Sequence, residues 1–510
     1  MDLFWLLLLV YAAYVGGSSG ADPVDQFLSS LGLDPDNVSP EAKSQGGTEL
    51  VCAALASVGN YSATTTTQAN GTVYIQQADA HWSATAYKQP LCIFSPVDID
   101  ELRTAILLSN FSGSQFAIRS GGHSPLPNWA NINGGLLLSM THISDLSYNE
   151  TSETQRSGMG NTWGDIYNYL VPYGRVVDGG RLGEVGLGLA TGGGLSHMSN
   201  ANGWVSQNVV SYEIMLSNGT HLTASHDENS DLYYAAKAGS NNFGVVTHIT
   251  QRTFQMGKVW GGIMQFPGNY STQFMEAMFE YQTDGQLDTK SAVLPYIGIN
   301  NDTIITTFVY FDEVQRPEAF KPFYDIPTTV DQTMVWDNFY ELSKVAVDFA
   351  VPRWTWGATT LGLDKDTYAG LIAVFSEFVP RIQNITGGTL APMIQPISKT
   401  MVENSRVLGD DPMNVDPDPQ IWVSIDIGWS LAADDATVDG ILRDCLAAVE
   451  DYTRSRGVYK PFLFLNDAHA SQNPLQSYGQ DSFDRLKVAS LAYDPTQMFQ
   501  TLVPGGFKLS

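Results

Sequence analysis

Residues 116–135 read FAIRSGGHSPLPNWANINGG. The opening Phe116-Ala117-Ile118 is short and apolar, like the end of a buried strand. Arg119-Ser120-Gly121-Gly122-His123-Ser124 then sets two glycines among four polar side chains, and Pro125 and Pro127 stop any helix from following. Consecutive glycines let a backbone turn tightly and bring its N–H groups against a ligand, as in pyrophosphate cradles. Taken alone, the six residues fit equally well a glycine turn with a satisfied surface histidine.

The flanks shift that balance. Upstream, Leu91–Phe94 reads as a strand, Ser95-Pro96 as a turn, and Asp98–Leu108 as a helix with Ile99, Leu102, Ile106 and Leu107 at helical spacing. Downstream, Leu136–Met140 reads as another strand. Strand, helix and strand make a β-α-β start, which predicts a sheet with a crossover helix. A second glycine cluster, GEVGLGLATGGGLS at 183–196, holds too much glycine for a stable helix or an ordinary strand. Linkers are normally polar, yet Val and Leu interleave here, so backbone approach to a bulky planar ligand explains it better. It is no dinucleotide fingerprint of the Rossmann kind, because no strand, GxGxxG and ribose-binding acid follow in register. Asn208–Gly219 reads as a strand ending in an Asn-Gly turn.

RSGGHS after an apolar strand resembles the flavin-attachment loop of FAD-linked oxidases with the PCMH-type FAD domain. Within that group it resembles the berberine-bridge-enzyme-like branch. The likeness continues through Gly158-Met159-Gly160, through Asp231–Thr247 (DLYYAAKAGSNNFGVVT), and into the C-terminal segment with Asn466-Asp467, Ser477-Tyr478-Gly479 and Pro504–Phe507. The resemblance spans residues 85–510 and implies FAD held through the isoalloxazine 8α methyl on His123. It further implies a cofactor site built from Arg119, Ser120, Gly121, Gly122 and Ser124, from Gly186, Gly188, Gly192 and Gly193, and from Gly244, Val245 and Asn466. Doubly linked members carry a cysteine just before the second glycine cluster. Leu182 stands there in this chain, so a single histidyl link is expected.

The implied fold is α+β. A signal peptide (1–20) and a leader (21–84) precede a two-part PCMH-type FAD-binding domain (85–255). A substrate domain (256–455) and a C-terminal segment (456–510) that returns to the FAD domain follow. Aromatic-rich alternation at Trp260–Phe266, Val293–Ile299, Thr303–Phe311 and Trp422–Trp429, with helices at Thr272–Asp284 and Thr367–Val379, predicts an antiparallel sheet covered by helices on one face.

Composition bounds the partners. Lys plus Arg total 26 against 53 Asp plus Glu, a formal charge of −27, which repels nucleic acid and anionic membrane surfaces. Leu3–Val15 is apolar, followed by small residues from Gly16 to Ala21, and is too short to span a bilayer. It reads as a signal peptide cleaved between Gly17 and Asp22. The missing Lys or Arg before it leaves an uncleaved anchor as the alternative. Sequons begin at Asn37, Asn60, Asn70, Asn110, Asn149, Asn218, Asn269, Asn301 and Asn384, which suits a secreted glycoprotein. Three cysteines allow one pair. Relatives bridge Cys52 and Cys92, and Cys445 reads as a buried thiol in an amphipathic helix.

The chemistry implied is hydride transfer to flavin N5 while a base takes the substrate proton, with O2 as acceptor. Relatives use a tyrosine or glutamate of the substrate sheet, or the tyrosine of an Asn-Tyr pair. This chain has Asn466-Asp467 instead, so Asp467 and Tyr478 are the candidate bases beside Asn466. Without such a role, Asp467 reads as a solvated surface carboxylate and Tyr478 as a packed core tyrosine. No metal site is expected, since His221 and His226 lack helical spacing and His81, His142, His197, His248 and His469 are scattered. The expected protein is a monomer acting on a small molecule, and its text is nearest filamentous-fungal members of secondary-metabolite pathways. The rivals are a carbohydrate oxidase and a secreted flavin-retaining binding protein without turnover.

Overall fold

The computed structural model describes residues 22–56, 65–300, 302–345, 351–407 and 409–509. The Leu3–Val15 segment and the sequons at Asn60 and Asn301 lie outside them. The β-α-β start forms as the pattern predicts. Strands Cys92–Phe94 and Phe116–Arg119 both pair in parallel with Leu136–Ser139, which lies between them. Helix Ile99–Ser112 makes the crossover. Asp98 caps it by accepting from the Asp100 and Glu101 amides, and Gly113 ends it in the left-handed conformation at φ +67°.

A second, antiparallel sheet runs Leu146–Asn149, Thr154–Gly158, Val245–Arg252, Val209–Met215, His221–Ser225. The second glycine cluster crosses between the two sheets. There the structure departs from expectation, because Leu187–Gly192 forms a short 3-10 helix. Such a turn needs no long run of helix-favouring residues, so glycine does not forbid it.

The described residues of the leader pack on the first sheet's crossover helix. Helices Pro23–Ser30 and Gly47–Ala56 bury Phe27, Leu28, Leu50, Val51 and Leu55, and Phe27 stacks on Phe111 of the crossover helix at 3.9 Å. A Cys52–Cys92 disulfide, Cα to Cα 5.9 Å, ties this layer to the first parallel strand.

A large antiparallel sheet occupies the rest. Its central strands run Val259–Pro267, Thr303–Tyr310, Ser291–Gly298, Met393–Ile397, Gln420–Trp429 and Arg353–Gly362. Helices Ser271–Thr283, Lys365–Ser376 and Asp435–Ser455 cover one face. The last buries Val438, Ile441, Leu442, Cys445 and Val449, a stripe at i, i+3, i+4 spacing. The sheet's other face packs on the layers of the two smaller sheets. Every residue of Gln420–Trp429 is therefore buried, although its side chains alternate between two different cores. The C-terminal segment closes back. The Phe116 amide donates to Leu502 O at 2.9 Å, and Asn241 and Asn242 donate to the Gly505 and Phe507 carbonyls at 3.0 and 2.8 Å. Among the described residues no helix is long and apolar enough to cross a membrane.

Candidate active site

A cavity of about 340 Å³ opens where these layers meet. Alternation along Phe116–Arg119 and one residue beyond sends Ile118 and Ser120 into it. Gly122 then turns at φ +67°, and His123 lines the wall. The imidazole stacks on Trp82, with ring centroids 4.7 Å apart and planes 14° apart. Its Nε2 is buried with no hydrogen-bond partner, and the Glu184 carboxylate is 4.0 Å away. Burial pushes the His123 pKa down to about 4. The ring is neutral at pH 7, with a nitrogen lone pair free to bond.

Backbone supplies the adjoining wall. A Cβ on Gly121 would sit 2.6 Å from Gly186 Cα, and one on Gly186 only 2.3 Å from Gly121 N. The two glycine clusters therefore press together without side chains, and Gly188, Gly244 and Val245 continue the lining. An orphaned nitrogen on a neutral histidine, set in a glycine cradle, fits a flavin. His123 would hold the ring edge, and the backbone around Gly121, Gly186 and Gly244 would border it.

The opposite wall is the sheet. Along Gln420–Trp429, Ile421, Val423, Ile425 and Ile427 enter the helix-covered core, so Ser424 and Asp426 face the cavity. Asp426 lies opposite Trp356, Ser424 opposite Met393, and Met393 opposite Tyr296, which lays these side chains across one face. Asp426 is 7% exposed and accepts a hydrogen bond from the Ser424 hydroxyl. Burial, with the negative charge of Asp467, pushes its carboxyl up to about 7.

Asp467 reaches the cavity from the C-terminal segment. Gln395 Nε2 donates to its Oδ2 at 2.7 Å, and Arg181 donates to Gln395 Oε1 at 2.7 Å. Burial raises Asp467 as well, but the Arg181 charge and the Gln395 hydrogen bond oppose the rise. Arg181 and one hydrogen bond oppose the rise at each carboxyl, Gln395 at Asp467 and Ser424 at Asp426. Burial keeps the Tyr296 phenol protonated.

A clasp joins the two walls. The Trp354 amide donates to Ser83 Oγ at 2.9 Å, and Ala84 N donates to Pro352 O at 2.8 Å. Thr85 Oγ1 donates to Pro125 O, just beyond the histidine loop, at 2.5 Å.

Of the residues singled out in the sequence, the cavity collects Ser120, Gly121, Gly122, His123 and Ser124, then Gly186, Gly188, Gly244 and Val245, and finally Asn466 and Asp467. Four stand elsewhere. Arg119 points to the far side of its strand and donates to Gln77 O and Ser139 Oγ. Gly192 and Gly193 serve close packing, since a Cβ on either would meet Asn466 Oδ1 at 2.3 Å or Met413 Sδ at 2.6 Å. Tyr478 is buried, stacks on Phe462 and donates to Ala238 O at 3.3 Å, which makes it a core tyrosine. Trp82, Arg181, Tyr296 and Asp426 escaped the sequence reading. Only Asp426 carried a local signal, as a lone carboxylate in an apolar run, IWVSIDIGW. Among the described residues no group of three or more His, Cys, Asp or Glu is placed to hold a metal.

Residues 90–225 match the FAD binding domain family. Over 509 residues the chain is 48% identical to the bifunctional solanapyrone synthase of Alternaria solani, covering 99% of this chain and 98% of that protein. The chain belongs to the berberine-bridge-enzyme-like FAD-linked oxidoreductases. In fold, this oxidoreductase is similar to 6-hydroxy-D-nicotine oxidase from Arthrobacter nicotinovorans, with a TM-score of 0.73 at 18% identity over 88% of this chain and 97% of that one. It is also similar to the glucooligosaccharide oxidase of Acremonium strictum, which carries a 6-S-cysteinyl, 8α-N1-histidyl FAD. The TM-score there is 0.68 at 13% identity, over 83% and 93% of the two chains. In this oxidoreductase Leu182 lines the cavity, Cys52 and Cys92 are bonded to each other, and Cys445 is buried in helix Asp435–Ser455.

Proposed function

We propose that this oxidoreductase is a secreted FAD oxidase with one histidyl–flavin bond. It removes a hydride and a proton from a small organic molecule of secondary metabolism, an alkaloid or polyketide, and passes both electrons to O2, giving hydrogen peroxide. The observation that carries this reading is the unshared, buried Nε2 of His123 on the same cavity as the carboxylates of Asp426 and Asp467. Full-length identity of 48% with a solanapyrone synthase supports the substrate class. Secretion is supported by the Leu3–Val15 segment, by exposed sequon asparagines at Asn37, Asn70, Asn149, Asn218, Asn269 and Asn384, and by the disulfide.

Bound FAD supplies the hydride acceptor. The chain supplies the rest. Trp82, Trp354, Trp356 and Met393 give apolar surface that sandwiches a flat substrate and excludes water. Asp467, whose carboxylate form Arg181 and Gln395 favour against burial, takes the proton from the substrate hydroxyl or amine. Asp426, protonated near neutrality, donates a hydrogen bond to a substrate oxygen. Arg181 balances the charge that remains on the pair.

A carbohydrate oxidase is the second reading, favoured by the fold likeness to the glucooligosaccharide oxidase. Leu182 and the absence of cysteine from the cavity lining argue for a single link rather than that enzyme's double one. Purified enzyme mixed without oxygen with aromatic metabolites and, separately, an oligosaccharide panel decides the matter. Flavin bleaching by the metabolites alone supports the proposal, and bleaching by sugars alone refutes it.

A further inference from the structure

The hydrogen bonds behind Asp467 fix more than its position. Gln395 is 2% exposed on strand Met393–Ile397, and both ends of its amide are engaged. Arg181 has only donors, so the oxygen end of the amide must face it. That leaves Nε2, which can only donate, toward Asp467 Oδ2 at 2.7 Å, with the Trp422 carbonyl a longer second acceptor at 3.4 Å. The amide orientation is dictated by chemistry. A proton on Oδ2 would set O–H against N–H and forfeit the bond, whereas a proton on Oδ1 keeps it. We propose that Gln395 is a positioning residue: pinned by Arg181, it commits Asp467 Oδ2 to an accepted hydrogen bond and leaves Oδ1 as the oxygen that takes the substrate's proton. This rests on reading the cavity as the oxidation site.

The groups that set the charge around Asp467 come from three elements. Arg181 lies on the loop before the second glycine cluster, Asp426 on Gln420–Trp429, and Tyr296 on Ser291–Gly298; Glu184, beside His123, acts on Tyr296. Gln395 is the neutral donor among them. Its amide favours the carboxylate form, so removing it should move Asp467 protonation to higher pH. Mere loosening of the site would admit water, relieve desolvation and move protonation to lower pH. The sign of the shift therefore separates the two roles.

The test is an infrared pH titration of the resting holoenzyme, following the carboxylic C=O stretch and assigning it by subtracting Asp467→Asn. In Gln395→Met the Asp467 midpoint should rise by about 1–2 pH units, the worth of a hydrogen bond to a charged group. In the Asp467→Asn background the same change should leave the remaining carboxyl bands in place. If Gln395→Met yields no soluble yellow protein, Gln395→Leu, with neither donor nor charge, is measured with the same expectation. A midpoint that stays put or falls overturns the positioning role. Failure of the underlying reading shows differently. If Asp467→Asn bleaches as fast as wild type with the molecules found by the anaerobic screen, Asp467 takes no proton in the reaction, and the positioning role falls even where the infrared shift stands.

Discussion

Replacing Asp426 with Asn should stabilise the fold increasingly as pH rises above about 4, and in full above about pH 7. The native carboxyl titrates at about 7 against an ordinary 3.8. That is roughly three units, or ~4 kcal/mol at 1.36 kcal/mol per unit. Below pH 3.8 both folded and unfolded chains carry the proton, and the residue is neutral in the balance. Between there and pH 7 the native state keeps a proton the unfolded chain has lost, so stability falls by about 1.4 kcal/mol for each unit of rising pH. Above 7 the native group ionises too and the penalty levels off. Asn removes the penalty and still offers Ser424 an acceptor. For a chain of this size the unfolding entropy is about 1 kcal/mol per kelvin, so the full effect is ~4 °C in Tm. Differential scanning calorimetry at pH 4 and pH 8, at one scan rate and with equal flavin content, measures it. A Tm difference between variant and wild type that is the same at both pH values would refute the assignment of a buried, protonated Asp426.

The remaining predictions concern the two walls of the cavity. His123→Ala should release its FAD on acid precipitation or fail to retain it, while wild type keeps a yellow pellet. Asp467→Asn should slow flavin reduction by about 10²- to 10⁴-fold with little change in substrate affinity, whereas Tyr478→Phe should leave reduction unchanged and cost about 1 kcal/mol of stability. Gly186→Ala forces a methyl onto the Gly121 backbone at 2.3 Å, so flavin content per chain should drop sharply even where the protein remains soluble.

The histidine loop and the first strands were legible because a glycine turn after an apolar strand is a local signal, and the strand, helix and strand around it follow one period each. The sheet wall was harder. Strand Met393–Ile397 contains Pro396, which normally argues against a central strand. It is tolerated because, in the central sheet, the strand pairs with Ser291–Gly298 only through Met393 opposite Tyr296, so the missing N–H breaks no ladder on that side. Trp82 and Arg181 belong to stretches with no period of their own, and their place at the cavity depends on how three layers stack. Sequence spacing does not encode that. Tyr478 shows the converse, a residue in a recognisable motif whose side chain turned into the core.

The clasp at residues 83–85 separates two meanings of where the protein starts. The match to the FAD binding domain family opens at residue 90. A chain cut there would lose Trp82 from the face of His123, both hydroxyls that bind the sheet wall to the histidine loop, and Cys92's bonding partner. Such a fragment would retain the glycine cradle and the Arg181–Gln395 hydrogen bond to the sheet, yet lack the clasp that ties that wall to the histidine loop. The family match begins at residue 90, whereas the layers that carry Trp82, the clasp and Cys52 begin with the helix at Pro23.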